Sequence, residues 1–351
     1  MPDIQLRFHK DMLVLTAPVD ATLERQGFDV VHDKQYLNLM EPDSVRDALR
    51  MELAAGAQCL VTPTEDITSA RLAHVRMEHD APRLAESVCE FVAELKPQHV
   101  LVEIGPCGLP LDPSSKASLN ESKSQYAQAA RLFADKEFDA FFLNGFTSID
   151  DLRCALMGVA QVSGKPIFAS VRVIGSGILA KSPSSSNPDE LSDAIARMAD
   201  MGVSVVGFET SEPLDNAIAY AKIACACTDL PVLAQLRVMK RDPKQGGPTA
   251  TNPYYCPDTM EQAAVKLYGC GVQFLRATGA ATPAYTGALA ATMLGVDVRT
   301  SGDGGDEGES SQVQPQGEPA ARIDVEDISK VLGEIVAGAF SRADSQEENR
   351  D

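Results

Sequence analysis

The sequence is short of positive charge: 31 Lys and Arg stand against 50 Asp and Glu, a formal net charge of -19. A surface made for phosphate backbones needs clustered Lys and Arg to displace counterions, so nucleic acid is excluded as an expected partner. Long apolar runs are also missing. The N-terminal MPDIQLRFHKDMLVL is cut short by Thr16 and Pro18, without the core or the small-residue cleavage site of a signal peptide. No stretch approaches the roughly 20 apolar residues of a membrane helix. A soluble, cytoplasmic protein without a membrane partner is expected. The eight cysteines, at 59, 89, 107, 154, 225, 227, 256 and 270, include no C-x-x-C pair and suit reduced thiols better than a disulfide framework.

What is present is an alternation of short apolar runs with longer segments of helical spacing, the pattern of parallel strands joined by helices. The expected strands are Met12 to Thr16, Cys59 to Pro63, His99 to Gly105, Ala140 to Gly145, Pro166 to Val173, Val203 to Thr210, Val232 to Val238 and Val272 to Thr278. Most carry almost no polar residue, as strands buried on both faces should. Asn187-Pro188-Asp189-Glu190 reads as a helix N-terminus, with Leu191, Ile195 and Met198 on one stripe and Gly202 after the end. Eight such units in about 290 residues match one α/β (β/α)8 TIM barrel. An open doubly wound sheet would want a glycine-rich turn after its first strand, and Thr16-Ala17-Pro18-Val19 is not one.

The domain reading is a barrel over 1–298, a disordered acidic linker over 299–321, an extra C-terminal helix over 322–341 and a charged tail over 342–351. The linker is rich in Gly, Ser, Gln and acid, while Ile328, Val331, Leu332, Ile335 and Val336 give the last segment its helical spacing. That helix either caps the barrel or joins copies of the chain in a homo-oligomer.

In a barrel of this kind the chemistry belongs where strands end and the βα loops begin. Those ends carry Thr62 to Asp66, Gly105 to Gly108, Asn144 to Phe146, Arg172, Glu209 to Glu212, Arg237 with Lys240, Arg241 and Lys244, and Arg276 to Gly279. Thr278-Gly279-Ala280, if it opens the last helix, either cradles an anion or forms a plain tight turn. The basic group after the seventh strand either neutralises an acidic ligand or is a solvated loop. Glu65, Asp66, Glu209 and Glu212 either serve as a base or amino-group binder, or cap helices.

These segments resemble the homocysteine S-methyltransferase family over roughly Met12 to Val298. GAQCLVTPTEDITSARL is similar to its second barrel unit, Gly105-Pro106-Cys107-Gly108 to its Gly-Pro loop, and FDAFFLNGFTSIDDLRCAL to the fourth unit. VVGFETSEPLDNAI is similar to the sixth and VQFLRATGAATPAYTGAL to the eighth. The resemblance implies a barrel that transfers a methyl group to a small thiol or amino-acid acceptor. It also implies zinc, held by one cysteine after the sixth strand and two after the eighth, which lowers the pKa of the acceptor thiol. At those positions this sequence has Thr210, Thr278 and Gly279. Cys225 and Cys227 lie about 200° apart on one helix, whereas Cys107 and Cys256 fall in loops on the pocket side and either approach the pocket as a two-thiol metal site or are plain loop thiols.

No cofactor is therefore expected. The family-matched pocket positions are Thr16, Thr62, Thr64, Asn144, Glu209, Thr210, Thr278 and Gly279, facing a small-molecule ligand in the barrel mouth. Three function classes follow: a divergent methyltransferase without the zinc-thiolate mechanism, an inactive paralogue that binds a small molecule or a partner protein, or an unrelated barrel enzyme acting, for instance, on an anionic substrate at the eighth loop.

Overall fold

The computed structural model describes residues 3–293 and 296, apart from 176, 181–188 and 243. The expected linker over 299–321, helix over 322–341 and tail lie outside the described residues, as do Asn187 and Pro188 and any contact between copies through that helix.

The elements run β1 (Leu13–Leu15), α1 (Asp20–Arg25), α2 (Val30–Met40), α3 (Pro42–Ala54), β2 (Cys59–Val61), α4 (Ser69–Ala73), α5 (Ala81–Leu95) and β3 (His99–Ile104). They continue with α6 (Lys116–Arg131), β4 (Ala140–Phe146), α7 (Ile149–Ala160), β5 (Ile167–Ile174), β6 (Ile178–Leu179), α8 (Leu191–Asp200) and β7 (Val205–Thr210). The last are α9 (Leu214–Cys227), β8 (Val232–Val238), α10 (Asp258–Gly269), β9 (Phe274–Gly279) and α11 (Pro283–Met293).

The strands pair in the order β1-β2-β3-β4-β5-β7-β8-β9, every step parallel, and β9 returns to β1 through Leu13↔Phe274 and Leu15↔Arg276. This is a closed (β/α)8 TIM barrel, and each of the eight expected strands is one of its staves. The short β6 is an addition that sequence reading misses: it folds back antiparallel on the end of β5 through Val173↔Leu179. At the expected N-terminus of the next helix, Asp189 does not cap α8. Its carboxylate instead accepts the Ile149 N–H at the start of α7 (3.0 Å), and α8 begins at Leu191.

Alternation along the strands divides the apolar residues between two cores, because successive side chains point to opposite faces. Val14, Leu60, Val100, Phe141, Ala169, Val206 and Leu275 face outward and pack beneath the helices. Leu13, Leu15, Cys59, Leu101, Phe142, Phe168, Val205, Leu233 and Phe274 face inward and pack on one another. Ile4 and Phe8 close the bottom of this inner core, with the Phe8 ring 6.0 Å from Phe168 and from Phe274, and those two rings 5.1 Å apart and nearly perpendicular. Gln273 ties the segment in place: it accepts the His9 N–H (2.9 Å) and donates to the Arg7 and Asp11 carbonyls.

Glu52 of α3 holds the top of β1. Its carboxyl oxygen accepts the Ala17 N–H at 3.0 Å and the Thr286 hydroxyl of α11. Burial pushes this carboxyl up to about 7, against the Thr286 and Ala17 hydrogen bonds and the charge of Arg276.

Two outcomes are expected. Phe168→Ala, which opens a cavity among the stacked rings, lowers stability by about 3–5 kcal/mol in urea unfolding. Because the folded-state pKa of Glu52 lies above its ordinary value of 4.5, its contribution is complete below that value and is lost as pH rises through about 7. Glu52→Gln removes that decline, which a series of melts across this pH range will read directly.

Candidate functional site

The same alternation that fills the barrel bottom with phenylalanine places polar residues above it. Going up from the inner core, the inward positions are Glu103 on β3, Asn144 on β4, Ser170 on β5, Gln235 on β8 and Arg276 on β9. Arg172, Glu209, Arg237 and Thr278 stand at the strand ends. Strands expected to be nearly free of polar groups thus carry them at the one place where the barrel interior opens.

Arg276 is 2% exposed and Glu103 6% exposed. Their contact spans the barrel as a two-pronged ion pair, Nη1 to Oε1 and Nη2 to Oε2, both 3.2 Å. Four side chains close a ring: Asn144 donates to Glu103 (2.6 Å), Gln235 donates to Asn144 (2.7 Å), and Arg276 donates to Gln235 (3.3 Å). Gln235 also donates to Ser170, Arg276 Nε donates to the Thr16 carbonyl (2.9 Å), and the guanidinium lies 5.5 Å above the Phe142 ring. This layer is the floor of a cavity of about 680 Å³ lined by the βα loops.

Two charged triads stand on the cavity wall. In the first, Glu209 on β7 sits between Arg172 (2.7 Å) and Arg237 (3.1 Å) and accepts the Thr278 hydroxyl (2.6 Å). Burial by itself would raise the Glu209 carboxyl, but the two guanidiniums and the Thr278 hydrogen bond override it and hold it below the usual carboxylate range. In the second, Lys34 of α2 lies between Asp20 of α1 (2.7 Å) and Glu65 in the loop after β2. Burial works against the charge of Lys34, yet the two carboxylates keep its ammonium protonated well past the ordinary lysine range. Burial pushes the Glu65 carboxyl up; Lys34 opposes this, while Glu103, Asp20 and Asp66 add to it. Gly105 fixes this loop: its N–H reaches the Glu65 carbonyl at 2.7 Å, and a Cβ at that glycine would lie 3.0 Å from the same oxygen. The other charged groups on the wall form pairs, Arg71 with Asp66 (2.9 Å) and Lys240 with Glu24 (3.2 Å).

The structure brings Asn144, Glu209, Thr278 and Gly279 together on the cavity wall. It does not bring the others there in the same way. Thr16 is fully buried, and its hydroxyl accepts the Val61 N–H (2.9 Å) between β1 and β2. Thr62 lines a small side cleft beneath Lys34; its hydroxyl accepts the Glu103 N–H (3.1 Å) and meets that of Thr64, which donates to the Glu103 carbonyl (2.7 Å). These threonines position Glu103 from below. Thr210, one residue past Glu209, falls on the opposite face of β7, and its hydroxyl accepts the Glu212 N–H (3.1 Å).

Several expectations are corrected. Thr278-Gly279-Ala280 does not open a helix: α11 starts at Pro283, and the Ala280 N–H is held by the Val238 carbonyl (2.9 Å), so it is not free for an anion. Arg241 lies over the Tyr255 ring at 4.4 Å instead of over the cavity. Glu212 accepts from Asn216 (3.1 Å) and from the Gly175 N–H, away from the mouth. Neither Cys107 nor Cys256 lines the cavity; Cys107 is buried, its N–H donating to the Tyr126 hydroxyl (2.9 Å), and burial raises its thiol. Among the described residues, no three His, Cys, Asp or Glu side chains converge in a way that would hold a metal ion.

Sequence reasoning put Arg172 and Arg276 on the rim without giving them a role, and it missed Glu103, Gln235 and Lys34. A signal was available for the first two. A lone acid in HVLVEIG and an amide in VLAQLRV, both at inward positions near strand ends, are costly to bury unless they meet partners. Lys34 carries no such signal, since a lysine on a surface helix is ordinary.

A family model described as homocysteine S-methyltransferase matches residues 13–235. Crystal structures of the homocysteine methyltransferase MmuM from Escherichia coli share the fold at 16% identity, covering 80% of this chain and 96% of that one. The TM-score is 0.64 for the metallated form, 0.65 for the oxidized form and 0.57 for the apo form. A comparison with curated protein sequences finds no match.

Arg276→Met, which leaves Glu103 charged and buried without its partner, is expected to destabilise the fold by about 3–5 kcal/mol. The double change Glu103→Gln, Arg276→Met recovers much of that loss. Chemical unfolding of the three variants measures the coupling.

Proposed function

The chain belongs to the homocysteine S-methyltransferase family, and from that premise we propose that it transfers a methyl group to a small amino-acid-type acceptor held in the barrel mouth, without a zinc-bound thiolate. The observation that carries this reading is the fate of the three family zinc positions. The Thr210 side chain lies on the outer face of β7, the Thr278 hydroxyl is engaged by Glu209, and Gly279 has no side-chain donor. A cysteine at 279 would not restore the site in this backbone. The φ of Gly279 is +68°, and a Cβ there would lie 2.4 Å from the Val238 carbonyl oxygen. The nearby carboxylate, Glu209, is bound to two guanidiniums, which repel a dication. The residues present do not fit zinc, and the family match ends at residue 235, ahead of two of these positions.

Without a metal to acidify the acceptor, its proton must go to a base. As the acceptor lone pair forms a bond to the methyl carbon and the donor bond breaks, Glu65 is the group suited to take that proton. It lines the cavity, and its proton affinity is raised by burial. A second reading, a binding module without turnover, is favoured by one fact: Glu65, like Glu103 and Glu209, is held in an ion pair, in its case with Lys34.

Purified, untagged protein is expected to carry far less than stoichiometric zinc. Homocysteine and methionine, which differ in whether sulfur bears a proton or a methyl group, should bind equally with or without a chelator in calorimetric titration. Stoichiometric zinc with binding that depends on the free thiol would sink the reading. With a sulfonium methyl donor, Glu65→Gln should lower product formation by about 100-fold or more.

A further inference from the structure

The charges around the barrel mouth are balanced in number but not in place. Among the described residues six acidic and six basic side chains line the cavity, in a chain whose net charge is -19. Three contacts are neutral: Glu103 with Arg276, Asp66 with Arg71, and Glu24 with Lys240. The six remaining groups form the two triads, and these have opposite sign. Arg172, Glu209 and Arg237 sum to one positive charge, which does not titrate away near neutrality because Glu209 stays ionised. Asp20, Lys34 and Glu65 sum to one negative charge when Glu65 is ionised.

The triads stand on opposite walls. The positive one is built on β5, β7 and β8, the negative one on the loops after β1 and β2, and β2 and β7 are four strands apart in either direction round the closed sheet. Between them lies the neutral Glu103–Arg276 floor. Arg172 and Arg237 are each somewhat more than one-third exposed, and each gives Glu209 a single hydrogen bond in the structure. Their other N–H groups have no partner among the described residues and lie at the cavity.

We propose that the mouth is a dipolar site for an extended zwitterion. A carboxylate of the ligand sits on the Arg172 and Arg237 guanidiniums, and an ammonium at its far end sits on the Asp20 and Glu65 carboxylates. The inference rests on the barrel mouth being the ligand site and names the ligand class within it. An α-amino acid, with both charges on one carbon, reaches one wall only; an ω-amino acid reaches both. A carboxylate on two free guanidinium edges makes charge-assisted hydrogen bonds, the strongest polar contacts the cavity offers.

The test is calorimetric titration at about pH 8 with 5-aminopentanoate, and with pentanoate and pentylamine, which each keep one of its charges. The zwitterion should bind saturably and at least about tenfold more tightly than either half-charged analogue. Arg237→Met leaves Arg172 paired with Glu209, and Asp20→Asn leaves Lys34 paired with Glu65, so each variant neutralises one wall without stranding a buried charge.

Each should lower the affinity for the zwitterion about tenfold, Arg237→Met leaving pentylamine binding unchanged and Asp20→Asn leaving pentanoate binding unchanged. Arg172→Met tests the same wall if Arg237→Met does not fold, as judged by its melting curve. Equal binding of pentanoate and the zwitterion, or full zwitterion affinity in a folded Arg237→Met variant, overturns the inference. Binding of homocysteine without binding of 5-aminopentanoate overturns it too, while leaving the proposed function standing. If neither binds, both fall.

Discussion

Closure of a parallel barrel leaves every second side chain no direction but inward, and the ion pair between Glu103 and Arg276 is how this chain answers that constraint at the open end. A guanidinium 2% exposed must be neutralised where it stands. Glu103 does this across the barrel, and Asn144, Gln235, Ser170, Thr62 and Thr64 take up the remaining donors and acceptors around it. Below the pair, the interior is filled mainly by phenylalanines and leucines. Above it, water and ligand have access. The pair is therefore both the lid of the inner core and the floor of the site.

The site built on that floor is a set of fixed charges. Hard oxygen and nitrogen groups make up its rim. Thr278 steadies Glu209, and Glu209 in turn orders Arg172 and Arg237. Gly279 allows the chain to pass close to the Val238 carbonyl. Each of these residues is part of one hydrogen-bonded arrangement.

The fold was legible because the information for it is local. Each stave is a short apolar run, and each helix has a periodic stripe, so Val232 to Val238 declares itself without knowledge of its neighbours. The site was legible only in outline. Asn144, Glu209, Thr278 and Gly279 lie on the cavity as their positions at strand ends imply, since a strand end in a barrel is always near the mouth. Thr16 and Thr210 do not, because a strand has two faces and a shift of one residue exchanges them. Asp189 shows the same limit: it was read as part of the next helix's N-terminus, but the helix it serves is α7, forty residues earlier in the chain.

By itself, then, the sequence determined the barrel, its order of staves and its family. All of these depend on residue type and spacing along the chain. Tertiary structure alone decided which charges meet. Glu103 and Arg276 are 173 residues apart, Arg172 and Glu209 37, and Lys34 and Glu65 31. An ion pair depends on distance in space, and only closure of the barrel sets those distances and gives its two walls opposite sign.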